Sequence, residues 1–221
     1  MLTSWLHPLP LLAILRGVTP AETGPIGQTL VKAGFRILEV PFNSAQAIES
    51  IAQLVAALGD QVMIGAGTVR REHDMALVAA AGGRLIVMPH TDVTLIRATK
   101  SAGLLCIPGV ATPSEAFAAL DAGADGLKLF PAEQMTPTVL KAWRAVIPRE
   151  VATLPVGGIT PDTMPGWIAA GASGFGIGSA LYTPNRSITE IASRAHAFAK
   201  AWQRETAAGP VTSVQTKLPG L

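Results

Sequence analysis

The sequence predicts one α/β domain folded as a closed (β/α)8 barrel, the TIM-barrel class, and three observations support this prediction. Short apolar runs alternate with longer Ala-rich segments, which is typical of parallel strands joined by covering helices. Eight such runs follow one another, the number that closes a barrel. The chain of 221 residues lies at the compact end of the size range for one barrel. A doubly wound open sheet is the alternative that the same pattern allows.

Each apolar run is short enough for a strand and apolar enough to be buried on both faces. The runs are Leu11–Leu15, Ile37–Val40, Val62–Ile64, Leu85–Met88, Leu104–Ile107, Gly126–Leu129, Thr153–Val156 and Gly174–Ile177. Helix signals separate them, because hydroxyls that can cap a helix stand before prolines suited to a first turn. These signals are Thr19-Pro20, Thr112-Pro113 and Thr160-Pro161, and glycines that can end a helix are Gly34, Gly103, Gly123 and Gly171.

The two ends of the chain predict different structures. A short helix that contains Trp5 is expected to close the base of the barrel. The C-terminal end is rich in Gly, Pro and Thr and is expected to be a mobile tail. We therefore place the barrel at residues 1–206 and the tail at residues 207–221.

The composition excludes several classes of function. Hydrophobic residues make up 49% of the chain and charged residues 14%, which allows a large core. A net charge of +2 without a basic run predicts no nucleic-acid partner. We expect no signal peptide and no membrane partner, since no apolar stretch approaches about 20 residues. The single cysteine, Cys106, predicts a packed thiol and a cytoplasmic location.

Lys128 is the most informative residue, because it lies inside the otherwise apolar run Gly126–Leu129. Burial without an anionic partner disfavours the charged form of a lysine and lowers its pKa. A neutral amine beside a small cavity can attack a ketone and form a Schiff base. The alternative is a structural lysine whose stem is buried while its ammonium reaches water.

Glu39 is a second ionisable residue within an apolar strand. As a general acid and base it would move protons among the intermediates of a Schiff-base reaction. The structural alternative is a salt bridge with Lys128 or Arg16, and both interpretations can hold together. Arg16, at the end of the first run, is also suited to bind a substrate carboxylate or phosphate by paired hydrogen bonds.

Glycines after the last two runs predict a phosphate site. Gly157-Gly158 precedes a helix signal, and Gly178-Ser179 follows the eighth run. The loops after the seventh and eighth strands of a barrel are a recurrent phosphate site, where backbone amides face the anion.

Two other motifs carry weaker signals. The segment Gly65–Thr68 lacks the full spacing of a dinucleotide fingerprint, so we expect it to let backbone approach a substrate, with Thr68 as a hydrogen-bond donor. Four histidines are scattered without ligand spacing, and we therefore expect no metal and no cofactor. They are His7, His73, His90 and His196, of which His90 is expected to line the mouth of the barrel.

The chain resembles the bacterial 2-keto-3-deoxy-6-phosphogluconate/6-phosphogalactonate aldolases from about Leu9 to Tyr182, nearly the whole predicted barrel, and six segments carry the resemblance. They are Ala13–Gly17, Leu38–Pro41, Ile64–Val69, Ile107–Thr112, Leu127–Ala132 and Val156–Ile159. The resemblance implies a metal-independent class I aldolase, usually a homotrimer. Such an enzyme cleaves a phosphorylated keto-deoxy sugar acid into pyruvate and glyceraldehyde 3-phosphate.

The resemblance also implies roles for individual residues. It gives the Schiff base to Lys128 and proton transfer to Glu39. The residues that match the pyruvate end of the site are Arg16, Thr68, Pro89 and Phe130. Those that match the phosphate end are Gly157, Gly158, Gly178 and Ser179.

Asn43 and Val156 bear on which C4 epimer is the substrate. Asn43 stands where the gluconate enzymes carry arginine, and Val156 where they tend to carry threonine. A hydroxyl at position 156 can contact the C4 hydroxyl of one epimer, and valine cannot. The segment Phe130–Glu133 looks more like the gluconate branch. We predict the phosphogalactonate substrate, with Val156 in the binding site and phosphogluconate as the alternative.

Two further functions remain open from the sequence. One is a phosphosugar isomerase or transferase barrel that uses the same phosphate loops. The other is a non-catalytic sensor of a phosphorylated ligand.

Overall fold

The structure, a computed structural model, describes residues 1–207 of the chain. Its strands are β1 (Leu11–Ile14), β2 (Ile37–Pro41), β3 (Met63–Gly67), β4 (Leu85–Val87), β5 (Leu105–Ile107), β6 (Gly109–Val110), β7 (Gly126–Leu129), β8 (Ala152–Pro155) and β9 (Phe175–Ile177). Its α-helices are α1 (Leu2–Trp5), α2 (Pro20–Lys32), α3 (Ala47–Leu58), α4 (Glu72–Ala80), α5 (Val93–Ser101), α6 (Pro113–Asp121), α7 (Pro137–Trp143), α8 (Met164–Ala169) and α9 (Ile188–Ala207). Short 3-10 helices lie at Gly59–Gln61 and Ala132–Gln134.

The strands form a curled parallel sheet. Six of them are hydrogen-bonded in the order β5-β4-β3-β2-β1-β9, and three in the order β6-β7-β8. Within each group, β1 to β5 and β6 to β8 pair in the order in which they follow one another along the chain, and β9 pairs with β1, whereas a doubly wound sheet reverses its order part way. This order contradicts the doubly wound alternative.

All eight predicted runs contain a strand, but the fifth is followed by an additional short one. Pro108 separates β5 from β6, and proline has no N–H for the ladder. The two pieces pair on opposite sides, β5 with β4 and β6 with β7. The carbonyl of Pro108 accepts a hydrogen bond from Lys128 N at 2.9 Å.

The curl gives the sheet two apolar faces, because successive side chains of a strand point to opposite sides. The outer face packs on the helices, and it includes Leu38, Leu127 and Leu129. The inner face holds a separate cluster, formed mainly by Leu12, Ile14, Ile37, Met63, Leu85, Val87, Ile107, Leu154 and Val156. Glu39 has the same parity as Ile37, and Lys128 lies between the two outward leucines of β7. Both ionisable side chains therefore point to the inner face.

The predicted N-terminal helix is confirmed as α1. Leu2 is buried and packs against Gly126, the first residue of β7. A Cβ atom added at Gly126 would lie only 2.8 Å from Leu2 Cδ2. Trp5 lies beneath the guanidinium groups of Arg36 and Arg84, at 5.8 and 5.6 Å from the ring centroid. Both arginines directly precede strands, so α1 covers the N-terminal ends of the strands.

The helix signals have mixed outcomes. Capping boxes at Thr19 and Thr112 begin α2 and α6 as predicted. The helix expected at Thr160-Pro161 begins later, because Thr160 and Thr163 form a hydrogen-bonded turn and α8 starts at Met164. The predicted tail, 207–221, begins at the last residue of α9, and residues 208–221 lie outside the described part of the chain.

Across residues 1–207, no helix is both long enough and apolar enough to cross a membrane.

Candidate active site

A cavity of about 770 Å³ opens at the C-terminal ends of the strands. All eleven residues that the sequence assigned to a site line this cavity. They are Arg16, Glu39, Thr68, Pro89, Lys128, Phe130, Val156, Gly157, Gly158, Gly178 and Ser179. They lie in or shortly after seven different strands and nevertheless converge on one space.

Lys128 and Glu39 are the two buried ionisable groups of the cavity. Lys128 is 6% exposed and Glu39 is 2% exposed, so the lysine does not reach water by extending its side chain. Within residues 1–207, neither side chain forms an ion pair. Glu39 Oε2 is one of two buried side-chain polar atoms in that range without a hydrogen-bond partner. The predicted structural salt bridge is therefore absent from the described structure.

Burial dominates the ionisation of both groups. Desolvation raises the pKa of the Glu39 carboxyl, against the opposing charges of Lys128 and Arg16. Desolvation lowers the pKa of the Lys128 amine, the Glu39 charge opposes this, and the Arg16 charge adds to it. Both shifts favour neutral forms, which are a nucleophilic amine and a carboxyl able to donate a proton.

Two further residues complete this end of the cavity. The ring centroid of Phe130 lies 4.5 Å from Lys128 Nζ and shields one side of the amine from water. Arg16 Nη1 donates a hydrogen bond to Asn43 Oδ1 at 2.6 Å. This contact pairs the guanidinium with a neutral amide and not with a carboxylate.

The glycines of β3 have a different role from the predicted one. A side-chain carbon at Gly65 would overlap the carbonyl of Leu85, and one at Gly67 would lie 2.6 Å from Glu39 Cδ. The expectation that these glycines admit a substrate is wrong, since the space beside them is filled by Leu85 and Glu39. Gly67 is the residue that makes room for the Glu39 carboxyl.

Thr68, next along the chain, has a strained backbone. Its φ of 59° lies in the left-handed region, which a β-branched residue rarely adopts. Such strain persists where the surroundings impose it, and it is frequent at binding sites. Thr68 lines the cavity, as predicted.

The opposite end of the cavity is formed by glycine loops. Gly157 and Gly158 have φ values of 115° and 63°, which glycine adopts without strain. Gly178 has open space where a side chain would begin. Val156 is buried, and its backbone is held by hydrogen bonds to Leu129 O at 3.0 Å and from Ala132 N at 2.9 Å.

Two ionisable residues that line the cavity, Glu133 and Tyr182, were given no role from the sequence. The Glu133 carboxylate lies against Gly157, where an added side-chain carbon would be 2.6 Å from its Cδ. From the sequence, Glu133 was considered only as part of the segment Phe130–Glu133, which resembles the gluconate branch. Its position depends on Ala132 N bonding to Val156 O, a contact between loops that local sequence does not encode.

His90 was expected to line the mouth of the barrel. In the structure it is exposed and is not among the residues that line the cavity. Within the described range, no group of three or more His, Cys, Asp or Glu side chains is arranged to hold a metal ion.

Comparisons with known proteins agree with this geometry. Residues 2–192 match the family described as "Aldolase: KDPG and KHG aldolase". The 2-dehydro-3-deoxy-6-phosphogalactonate aldolase of Escherichia coli (strain K12) is 43% identical over 199 residues, covering 90% of this chain and 97% of the relative. A protein of Rhizobium meliloti (strain 1021), named "Probable 2-dehydro-3-deoxy-6-phosphogalactonate aldolase", is 39% identical, covering 87% of this chain and 91% of the relative.

A solved structure gives the same result for the fold. The structure described as "Native KDPGal structure" superposes with a TM-score of 0.89 at 42% identity, covering 92% of this chain and 98% of the other. The match spans the curled sheet and the cavity together. From its sequence, its fold and the residues of its cavity, the chain belongs to the KDPG and KHG aldolase family.

Proposed function

We propose that this protein cleaves 2-dehydro-3-deoxy-6-phospho-D-galactonate into pyruvate and D-glyceraldehyde 3-phosphate by a class I, Schiff-base mechanism. The observation that carries the proposal is the pair of buried groups, Lys128 and Glu39, which face one cavity without neutralising each other in an ion pair. Maintaining two desolvated ionisable groups is unfavourable for folding, so the arrangement indicates a catalytic use.

The reaction follows from these two groups. The neutral amine of Lys128 attacks the C2 ketone, and loss of water gives an imine. With the imine protonated, a base removes the proton of the C4 hydroxyl and the C3–C4 bond breaks. Its electron pair forms the C2=C3 double bond, and the π electron pair of the C2=N bond moves to nitrogen. This step releases the aldehyde and leaves an enamine. Protonation of the enamine at C3 and hydrolysis then give pyruvate and free Lys128. Glu39, whose raised pKa lets it both accept and donate, is the proton carrier.

The two ends of the cavity suit the two ends of this substrate. Arg16, Thr68, Pro89 and Phe130 surround the region next to Lys128, where the pyruvate half would lie. The guanidinium of Arg16 is suited to the substrate carboxylate. Gly157, Gly158, Gly178 and Ser179 form the other end, where backbone amides would hold the phosphate.

The choice of epimer rests on Val156 and on the two relatives named for the galactonate substrate. The Val156 side chain lines the cavity and cannot form a hydrogen bond. It therefore favours the epimer whose C4 hydroxyl points away from residue 156. The phosphogluconate epimer is the second candidate, because Phe130–Glu133 resembles that branch.

The assembly and overall architecture belong to the same proposal. The curled sheet would close as a (β/α)8 barrel, since Val156, directly after β8, forms a parallel bridge with Gly176 of β9, and β5 and β6 together join the other edges. Residues 1–206 would form one domain. Family resemblance supports a homotrimer, which a mass measurement in solution tests. The unpaired, buried thiol of Cys106 supports a cytoplasmic location.

The test is pyruvate release from each C4 epimer in EDTA, combined with borohydride trapping. We expect a higher kcat/KM for the galactonate epimer and a reduced pyruvate adduct on Lys128. Equal values of kcat/KM for the two epimers would be consistent with the imine mechanism but would contradict the choice of the galactonate epimer. No release from either epimer and no adduct would overturn the proposal in favour of an isomerase, a transferase or a ligand sensor.

A further inference from the structure

The glycine loop that would hold the phosphate carries a carboxylate. Glu133 Oε1 would lie 2.8 Å from a side-chain carbon at Gly157, and Glu133 Cγ 3.1 Å from one at Gly158. The side chain therefore lies along both glycines. Glu133 is exposed, lines the cavity and has no hydrogen-bond partner within residues 1–207. Its acceptor oxygens are thus available to a ligand.

This placement is built into the fold. Glu133 is the middle residue of the 3-10 helix Ala132–Gln134, which is attached to the end of β8 by the hydrogen bond from Ala132 N to Val156 O at 2.9 Å. The turn cannot move away from Gly157 without breaking that bond. The backbone of Glu133 is therefore fixed beside the glycine loop, within reach of a ligand bound there.

The distribution of basic side chains around the cavity determines how strongly the Glu133 carboxylate affects a bound phosphate. The basic side chains that line the cavity within the described range are Arg16 and Lys128, and the proposed function assigns both to the pyruvate half of the substrate. Arg186 bonds the carbonyl of Ser179 at 3.0 Å but does not line the cavity. A phosphate at the glycine loops would therefore be bound by backbone amides and would face the negative charge of Glu133.

We propose that Glu133 determines specificity for the terminal group of the substrate. A carboxylate repels a phosphate and accepts a hydrogen bond from a hydroxyl. Glu133 thus lowers the preference for the C6 phosphate and lets the cavity accept the unphosphorylated keto-deoxy sugar acid, whose C6 hydroxyl donates to it. This inference rests on the proposed aldolase function and concerns only the end of the substrate remote from Lys128.

The test compares kcat/KM for 2-dehydro-3-deoxy-6-phosphogalactonate and for its unphosphorylated form. Glu133→Gln removes the charge with little change of shape, and Glu133→Lys reverses it. The matched control is Glu150→Gln, which removes the charge of an exposed carboxylate outside the cavity.

We expect the ratio of the two kcat/KM values, phosphorylated over unphosphorylated, to rise about fivefold to tenfold in Glu133→Gln at low salt. It should rise further in Glu133→Lys and remain unchanged in Glu150→Gln. The effect of Glu133→Gln should shrink at high salt, because exposed charges are screened. An unchanged or reduced ratio in Glu133→Gln would overturn the inference.

A separate readout distinguishes failure of the inference from failure of the proposed function. Exchange of the pyruvate methyl protons with deuterated water requires the imine and its proton carrier but no terminal phosphate. If the wild-type enzyme exchanges these protons and the ratio still fails to respond, only the role of Glu133 is wrong. Absence of exchange in the wild-type enzyme would contradict the aldolase mechanism itself.

Discussion

Asn43 holds Arg16 at the mouth of the cavity through a 2.6 Å hydrogen bond from Nη1 to Oδ1. A second contact, from Gly17 N to Ser44 Oγ at 2.9 Å, joins the same two loops. The loop after β1 is thus fixed to the loop after β2 next to the buried lysine. Asn43, considered from the sequence only as an indicator of the epimer, also positions the cation that contributes to the lowered pKa of Lys128.

Replacing Asn43 by Asp should shift the pH profile. The new carboxylate would neutralise Arg16, and the pKa of Lys128 would then rise towards its ordinary value. Since the proposed nucleophile is the free amine of Lys128, the acid limb of kcat/KM against pH should move upwards by a few tenths to about one unit. Asn43→Ala is the matched variant, because it releases Arg16 without adding a charge. It should raise KM and leave the acid limb of the pH profile nearly unchanged. Identical profiles for the Asp and Ala variants would contradict this role.

Lys128→Arg should abolish cleavage while it retains a positive charge. A guanidinium stays protonated at any pH the fold tolerates and cannot form the imine. We expect kcat to fall by at least about 10³-fold and the borohydride adduct to disappear. Lys141→Arg, on the exposed face of α7, controls for the substitution itself. Substantial turnover by Lys128→Arg would refute the imine assignment.

Val156→Thr should move the epimer preference towards the gluconate substrate. The backbone of residue 156 is fixed by its neighbours, so the change adds only a hydroxyl at nearly constant volume. Where such a hydroxyl pairs with a substrate hydroxyl, discrimination changes by about 10-fold to 100-fold. The measurement is kcat/KM for both epimers, with Val139→Thr on α7 as the control outside the cavity. An unchanged ratio of the two kcat/KM values would show that residue 156 does not determine the epimer preference.

Removing both buried ionisable groups should stabilise the fold and abolish activity. The double variant Lys128→Met, Glu39→Gln replaces two desolvated groups with neutral ones of similar size. We expect its free energy of unfolding near pH 7 to rise by about 1 to 4 kcal/mol, as measured by urea denaturation. A double variant less stable than the wild type would show that the two groups stabilise the fold after all.

The pH dependence of this gain follows from the signs of the two shifts. The folded state raises the pKa of Glu39, so its destabilising effect is absent below the ordinary value of 4.5 and grows as pH rises through the folded-state pKa. The folded state lowers the pKa of Lys128, so its effect is present at low pH and disappears above the ordinary value of 10.5. The gain should therefore be largest between these limits and should shrink towards both ends. A gain that does not vary with pH would not come from these groups.

The sequence predicted most of the fold because its signals are local. The eight apolar runs and the capping boxes at Thr19 and Thr112 depend on residues adjacent in the chain. The additional strand β6 was not predicted, because two residues after Pro108 have no periodicity of their own. Thr160-Pro161 predicted a helix start that the structure places at Met164, since the turn between Thr160 and Thr163 competes with it.

The site was predicted where strand position alone determines it. Lys128 and Glu39 could be found because a charge within an apolar strand must face either a partner or a cavity. The relations between loops could not be found in this way. Glu133 on Gly157, Asn43 on Arg16 and Gly67 beneath Glu39 each join residues that lie between 24 and 28 positions apart, and no periodic pattern encodes such contacts.

The close packing of Gly67 against the Glu39 carboxyl has a consequence for recombining this chain with its relatives. Any residue larger than glycine at position 67 would occupy the volume that the glutamate now fills. The segments β2 and β3 would therefore have to be exchanged together. A chimera whose crossover falls between residues 39 and 67 can retain Glu39 in its present position only when the incoming segment also supplies the glycine.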